Sequence, residues 1–275
     1  MPNFEKVREN IQKQGFLKVL LNLFESKLKR DWRGFPLLYK AFILFFYTVF
    51  PKFMWKKYPT LVLKALELAN SVICQNKKLL DLILITQDNP GFIKPLLSFR
   101  EMGNLYIYAK KAENLPGDLA EVGVYRGGSA KIISEAKGKK NFHLFDTFAG
   151  LPKPDSSQDD LLVKGEMKNT SLKEVKANLK EYSNLYFYKG MFPKTAGPIS
   201  KRKFSFVHLD VDLYKSTKDC LNFFYRRMNV GGVILSHDYN SINAPGVKKA
   251  FDEFFKKRKE PIIELWDSQC LIIKQ

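Results

Sequence analysis

Two stretches in the C-terminal half concentrate side chains able to hold a cation and move a proton. Val207-His208-Leu209-Asp210-Val211-Asp212-Leu213-Tyr214 and Gly231-Gly232-Val233-Ile234-Leu235-Ser236-His237-Asp238-Tyr239 each end an apolar run in polar residues. Short, β-branched runs of this kind read as strands whose C-terminal tips carry the chemistry. If the two strands are neighbours, their tips lie about 4.8 Å apart. Asp210 then meets His237 and Asp238, with one divalent cation between them. Two hard carboxylates and one imidazole suit Mg²⁺ or Mn²⁺ better than Zn²⁺. Asp212 stands just ahead of a helical stretch, Ser216–Met228, and its simplest reading is a helix cap. His208 alternates with Asp210 along the strand and is expected to be buried and hydrogen-bonded. His143, at the start of another strand, receives the same reading.

A second group suits a nucleoside. Glu121-Val122-Gly123-Val124-Tyr125-Arg126-Gly127-Gly128-Ser129 leaves one strand and opens a helix. Glycines at such a junction let backbone approach a ligand, and the helix N-terminus offers free N–H groups. The G-x-x-x-G-G spacing is neither the dinucleotide fingerprint nor a P-loop, and alone it is equally a structural turn. Asp146 follows Gly123 by 23 residues at the tip of the next strand, where an acid is placed to bind ribose hydroxyls. The surrounding Phe145-Asp146-Thr147-Phe148 is too apolar for ordinary loop surface. Together the two features point to a nucleoside-containing cofactor.

The elements that must position these residues follow from periodicity. From Pro116 onward, short β-rich runs alternate with amphipathic helices, which predicts an α/β domain with a largely parallel sheet. The expected strands are 119–124, 141–145, 185–188, 204–209, 232–236, 262–266 and 270–273. Helices are expected at 129–136, 171–182, 216–228 and 247–257, the second opening with the capping box Ser171/Glu174. Residues 150–170 form a polar loop longer than most connections, which marks a functional lid. Upstream of the turn cluster Asp88-Asn89-Pro90-Gly91 the chain reads helical, with apolar residues near a 3.6 period over 4–30 and 61–86. The chain therefore divides into a helical region, 1–90, and a catalytic domain, 91–275.

The ordered stretches PGDLAEVGVYRGGSAKII, FDTFAGLP, KGMFPKT, HLDVDLYKSTKDCL, GGVILSHDY and PGVKKAFDEF resemble the macrocin/mycinamicin O-methyltransferase family. Those enzymes are class I S-adenosylmethionine-dependent methyltransferases that act on sugar hydroxyls with a bound Mg²⁺. The resemblance implies a Rossmann-like fold, with a mostly parallel seven-stranded sheet flanked by helices and an N-terminal helical extension. It further implies that Glu121, Val122, Gly123, Val124 and Tyr125 line the methionine side of S-adenosylmethionine, with Gly127, Gly128 and Ser129 shaping the loop. Asp146 would hold the ribose beside Thr147 and Phe148, and Gly190, Met191 and Phe192 would border the adenine. Ser98 and Arg100 match the family's N-terminal lid. Asp210 would border the cofactor and, with His237 and Asp238, bind the metal; Asp210 and His237 are also the expected catalytic pair. Family members commonly carry two acids where this chain has His237-Asp238, so the site here has one negative charge fewer.

Composition bounds the surroundings. Apolar types make up 45% of the 275 residues, enough for a sizeable core, and 46 Lys+Arg against 28 Asp+Glu leave +18. The excess runs along the whole chain and favours anionic partners. Three scattered cysteines exclude a disulfide framework and fit a reducing cytoplasm. The uncharged run Ala41–Phe50 is ten residues long, half of what a membrane span needs. Basic residues and tryptophans flank it over 27–57, which suits the headgroup boundary of an anionic membrane. Packing on the catalytic domain or in a homo-oligomer interface is the competing reading. A sugar or glycan acceptor is expected, and no DNA. An RNA-directed methyltransferase and a decayed, membrane-associated cofactor-binding protein are the alternative functions.

Overall fold

Alternation along the strands decides the layers. In the computed structural model, which describes residues 79–80, 96–154, 157–159 and 161–275, all within the compact unit Pro59–Gln275, successive strand residues enter opposite cores. Leu119, Phe206 and Leu235 pack on one face of the sheet, and Ala120, Val207 and Ile234 on the other, as a two-residue side-chain period requires. The apolar readings at 4–30 and 35–55, and that at 61–86 apart from helical residues 79–80, lie outside the described residues.

In chain order the elements are α1 (Phe99–Ala112), β1 (Asp118–Val122), α2 (Gly128–Ala136), β2 (Phe142–Asp146), α3 (Leu172–Asn178), β3 (Leu185–Lys189), β4 (Phe204–Leu209), α4 (Tyr214–Phe224), β5 (Met228–Ser236), α5 (Pro245–Phe255), β6 (Ile263–Glu264) and β7 (Cys270–Ile273). The seven strands form one sheet in the order β3-β2-β1-β4-β5-β7-β6. Strands β1 to β5 pair in parallel, and β7 runs antiparallel to β5 and β6. Helices α1, α2 and α3 cover one face, α4 and α5 the other. The order reverses between β1 and β4, so the carboxyl ends of these two strands open the crevice where ligands bind in doubly wound folds. Among the described residues no helix is long and apolar enough to cross a membrane.

Boundaries differ from expectation where local chemistry intervenes. β1 stops at Val122 because Gly123 turns away with φ +90°. The helix expected at 171–182 ends at Asn178, and of its capping box only the Ser171 hydroxyl accepting from Glu174 N is formed; the Glu174 carboxylate takes that hydroxyl instead. The complete box belongs to α1, where Ser98 and Glu101 exchange both bonds. α4 begins at Tyr214, two residues earlier than expected, and Asp212 does not cap it. Asp159, from the long loop, accepts from Tyr214 N at 2.9 Å and satisfies that helix end.

Candidate active site

β4 and β5 are neighbours with Leu209 opposite Ser236, so the residues that follow them meet. His237 Nδ1 lies 2.9 Å from Asp238 Oδ2 and 3.3 Å from Asp210 Oδ1. One donor atom from each of the three falls within 4.8 Å of the others. Burial works against a charged ring, but Asp210, Asp238 and Glu101 drive the His237 pKa far above its ordinary value. Burial likewise would lift the Asp210 carboxyl, yet His237 beside it holds it below the usual range. His237 Nε2 faces Glu101 Oε1 at 3.4 Å. Carboxylates thus face both ring nitrogens of His237.

Asp212 joins this cluster. Only 9% exposed and at φ +58°, it lines the same cavity. Burial, reinforced by the neighbouring charges of Asp210 and Asp238, raises its pKa well above the carboxylate range. The strand-tip spacing of Asp210 and Asp212 was its only sequence signal. Glu101 was also missed; its signal was Ser98-Phe99-Arg100-Glu101 opening a helix.

Gly123 ends β1 against β4 so closely that a Cβ there would sit 1.7 Å from the Asp210 carbonyl oxygen. Asp146, at the tip of β2, holds the turn in place. Its Oδ2 accepts from Val124 N and Tyr125 N at 2.8 and 2.7 Å, and its Oδ1 from Phe148 N at 2.6 Å. Burial raises its pKa despite these amides. Tyr125, Phe148, Asp212 and Asp238 all have positive φ, so four strand tips carry strained backbone, a feature that clusters at functional sites.

A cavity of about 510 Å³ opens at this switch point. Val122, Gly123, Val124, Tyr125, Gly128 and Ser129 line it from the β1 turn. Asp146 and Thr147 line it from β2, and Gly190, Met191 and Phe192 from the end of β3. Asp210, His237 and Asp238 complete the wall, and the long loop contributes Leu151, Leu162 and Met167. Three expected residues stand back from it. Glu121 is fully buried and bonds His208 Nδ1 at 2.8 Å across β1 and β4. Gly127 is the N-cap of α2, and Phe148 packs into the core. These three shape the wall without forming it. Arg100 stacks over Trp266 and pairs with Asp267 at 3.8 Å, and Ser98 donates to Asp267 at 2.6 Å, so neither borders the cavity. His208 and His143 are buried and hydrogen-bonded as expected, His143 to Tyr188 and Asp118 at 3.0 Å each.

The family model of macrocin-O-methyltransferase (TylF) matches residues 55–274, reaching back across the turn cluster at 88–91. The 8-demethyl-8-(2,3-dimethoxy-alpha-L-rhamnosyl)-tetracenomycin-C 4'-O-methyltransferase of Streptomyces olivaceus is 30% identical over 175 residues, 57% of this chain and 66% of that protein. This chain thus spans just under two thirds of that relative. The mycinamicin III 3''-O-methyltransferase of Micromonospora griseorubida is 28% identical over 189 residues, 61% of this chain and 72% of that protein. Among solved structures, the O-methyltransferase NovP superposes with a TM-score of 0.60 at 24% identity, covering 71% of this chain and 88% of its own. CalS11, a calicheamicin methyltransferase, gives 0.55 at 15% identity, covering 72% and 93%. Both share the fold.

Proposed function

Because this chain belongs to the macrocin O-methyltransferase family, we propose that it transfers the methyl group of S-adenosylmethionine to a hydroxyl of a sugar or glycosylated metabolite, with Mg²⁺ or Mn²⁺ held by Asp210, His237 and Asp238. The observation that carries this reading is that one cavity is bordered both by the Gly123 turn with Asp146 and by the acid–imidazole cluster. The relatives' names, a rhamnosyl-tetracenomycin 4'-O-methyltransferase and a mycinamicin 3''-O-methyltransferase, support a glycosylated acceptor.

The residues fit both groups. The cavity volume lies in the range of small-molecule sites, and Gly123 lets backbone form its floor. Asp210, His237 and Asp238 would hold a small divalent cation, since one donor atom from each lies within 4.8 Å of the others and two carboxylates with an imidazole suit such an ion. When bound, the cation lowers the pKa of a coordinated hydroxyl. The remaining tasks fall to the chain. Methyl transfer from a sulfonium is an in-line displacement, and alignment of the partners supplies about 7–11 kcal/mol. The β1 turn, pinned by Asp146, fixes the donor side. Asp210, between turn and cluster, fixes the acceptor side and, as the acid that His237 keeps ionised, receives the hydroxyl proton.

The test is methyl transfer from radiolabelled S-adenosylmethionine to glycosylated acceptors, with Mg²⁺ or Mn²⁺ and with excess EDTA. EDTA and Asp210→Asn are each expected to cost at least about a hundredfold in rate. Activity indifferent to EDTA and to Asp210→Asn would remove the cation from the reading. We place the reaction in the cytoplasm, at the face of an anionic membrane reached through residues 27–57, on the strength of the basic and aromatic flanks of Ala41–Phe50.

A further inference from the structure

We propose that Glu101 is the positioning residue of the cation site, holding the His237 ring by Nε2 so that Nδ1 is presented between Asp210 and Asp238, and that the resulting donor set favours Mn²⁺ over Mg²⁺. The inference rests on the cation-assisted reading above and concerns the imidazole at 237.

An imidazole that ligates a metal through one nitrogen commonly gives its other N–H to a carboxylate, which fixes tautomer and ring plane. Here Nδ1 points at Asp210 and Asp238, and Nε2 at Glu101. Glu101 is itself immobilised, at 4% exposure. Its Oε2 accepts from Ser98 N at 2.8 Å, and its Oε1 accepts from Ser268 N and Oγ at 3.1 and 2.7 Å. The Ser268 hydroxyl oxygen also accepts from Asp238 N at 3.3 Å, so one serine ties the carboxylate to the backbone of a ligand. Asn104 donates to Gln269 at 2.9 Å, further fastening α1 to the β6–β7 turn. Three elements remote in sequence thus converge behind one ring, a costly arrangement for a histidine that merely fills space.

Charge and donor type give the same answer. With imidazole at 237 the inner ligands carry two negative charges, and Glu101 supplies a third one shell out. Exchanging a carboxylate oxygen for an imidazole nitrogen moves the site from hard donors, which suit Mg²⁺, toward borderline ones, which suit transition-metal dications.

The experiment uses the full chain stripped with EDTA. Mn²⁺ binding is read from loss of the free-ion electron paramagnetic resonance signal, Mg²⁺ from its competition, and S-adenosylhomocysteine binding by calorimetry. Wild type is expected to bind Mn²⁺ at least about tenfold more tightly than Mg²⁺. Glu101→Gln is expected to weaken Mn²⁺ by about 10–100-fold, with S-adenosylhomocysteine affinity unchanged. Ser98→Ala, which loosens the α1 cap without touching His237, should leave Mn²⁺ affinity in place and so separates a frayed helix from a lost carboxylate. In a His237→Asp background the preference for Mn²⁺ over Mg²⁺ should narrow, and Glu101→Gln should cost nothing further. Equal Mn²⁺ affinity in wild type and Glu101→Gln overturns the positioning role, and equal Mn²⁺ and Mg²⁺ affinity in wild type overturns the selectivity. Wild type that binds S-adenosylhomocysteine but neither cation brings down the cation-assisted reading itself, together with this inference.

Discussion

At Gly123 a side chain is excluded twice, by a φ of +90° and by the Asp210 carbonyl oxygen 1.7 Å from where its Cβ would stand. Gly165, in the long loop, has a similar φ of +82° with nothing within 4 Å of its Cβ position, and so separates the two causes. Gly165→Ala is expected to cost the left-handed conformation alone, about 1–2 kcal/mol. Gly123→Ala must in addition push β1 and β4 apart at the switch point, and a loss of more than about 3 kcal/mol, with cofactor binding abolished, is expected. Thermal unfolding and S-adenosylhomocysteine calorimetry on both variants check this; equal losses would mean that crowding at the switch point is relieved at no cost. The glycine turn and Asp146 were legible because their role is local, a strand tip followed by a helix. Asp212 and Glu101 were not. Each acquires its role from carboxylates or an imidazole supplied by other elements, and Glu101 lies 136 positions from the ring it faces. Glu121 was read in the opposite direction, as cavity wall, because nothing local shows that His208 stands beside it in the neighbouring strand.

Elements repeat the pattern. The strand core of the sheet was legible as short β-rich runs between amphipathic helices, whereas the neighbour relation of β4 and β5, on which the site depends, stood only as a condition that the pairing of Leu209 with Ser236 meets. Helix ends were less so, since Asp159 reaches α4 from the long loop with no signal beyond its being an acid there. The C-terminal strand is fastened in a similarly non-local way. Glu260, which follows α5, lies 2.5 Å from Lys274 Nζ at the end of β7 and accepts from Tyr225 at 2.9 Å. Burial would raise the Glu260 pKa, but Lys274 and the other donors bring it from 4.5 down to about 2. A carboxyl whose folded pKa is depressed stabilises the fold fully above its unfolded value, and the contribution disappears as pH falls toward the folded one. Unfolding of wild type and Glu260→Gln, compared from pH 7 to pH 2.5, should therefore show a gap on the order of 2 kcal/mol at neutral pH. That gap should hold down to about pH 5 and close through the window from 4.5 to about 2. A gap that stays constant below pH 4 would show that Glu260 contributes by packing rather than by charge.

The whole molecule adds a field to the site. A net +18 on 275 residues draws any anionic surface toward the protein, with a strength that falls as salt shortens the Debye length to about 8 Å at physiological ionic strength. Charge alone does not choose between lipid and RNA; the apolar, aromatic run between basic flanks at 27–57 is what favours lipid, since headgroup attraction and shallow burial of Phe and Trp act together at an interface. Co-sedimentation of the full chain with phosphatidylglycerol-containing vesicles should be strong at low salt and retained in part at 0.5 M NaCl, because the apolar component is not screened. A variant with Phe45, Phe46 and Phe50 replaced by serine should keep the salt-sensitive part and lose the remainder. Neutral phosphatidylcholine vesicles should bind weakly. Binding wholly abolished by salt, or unaffected by the three substitutions, would reduce the membrane reading to nonspecific electrostatics, and tighter, steeply salt-dependent binding to RNA than to vesicles would favour the nucleic-acid partner instead.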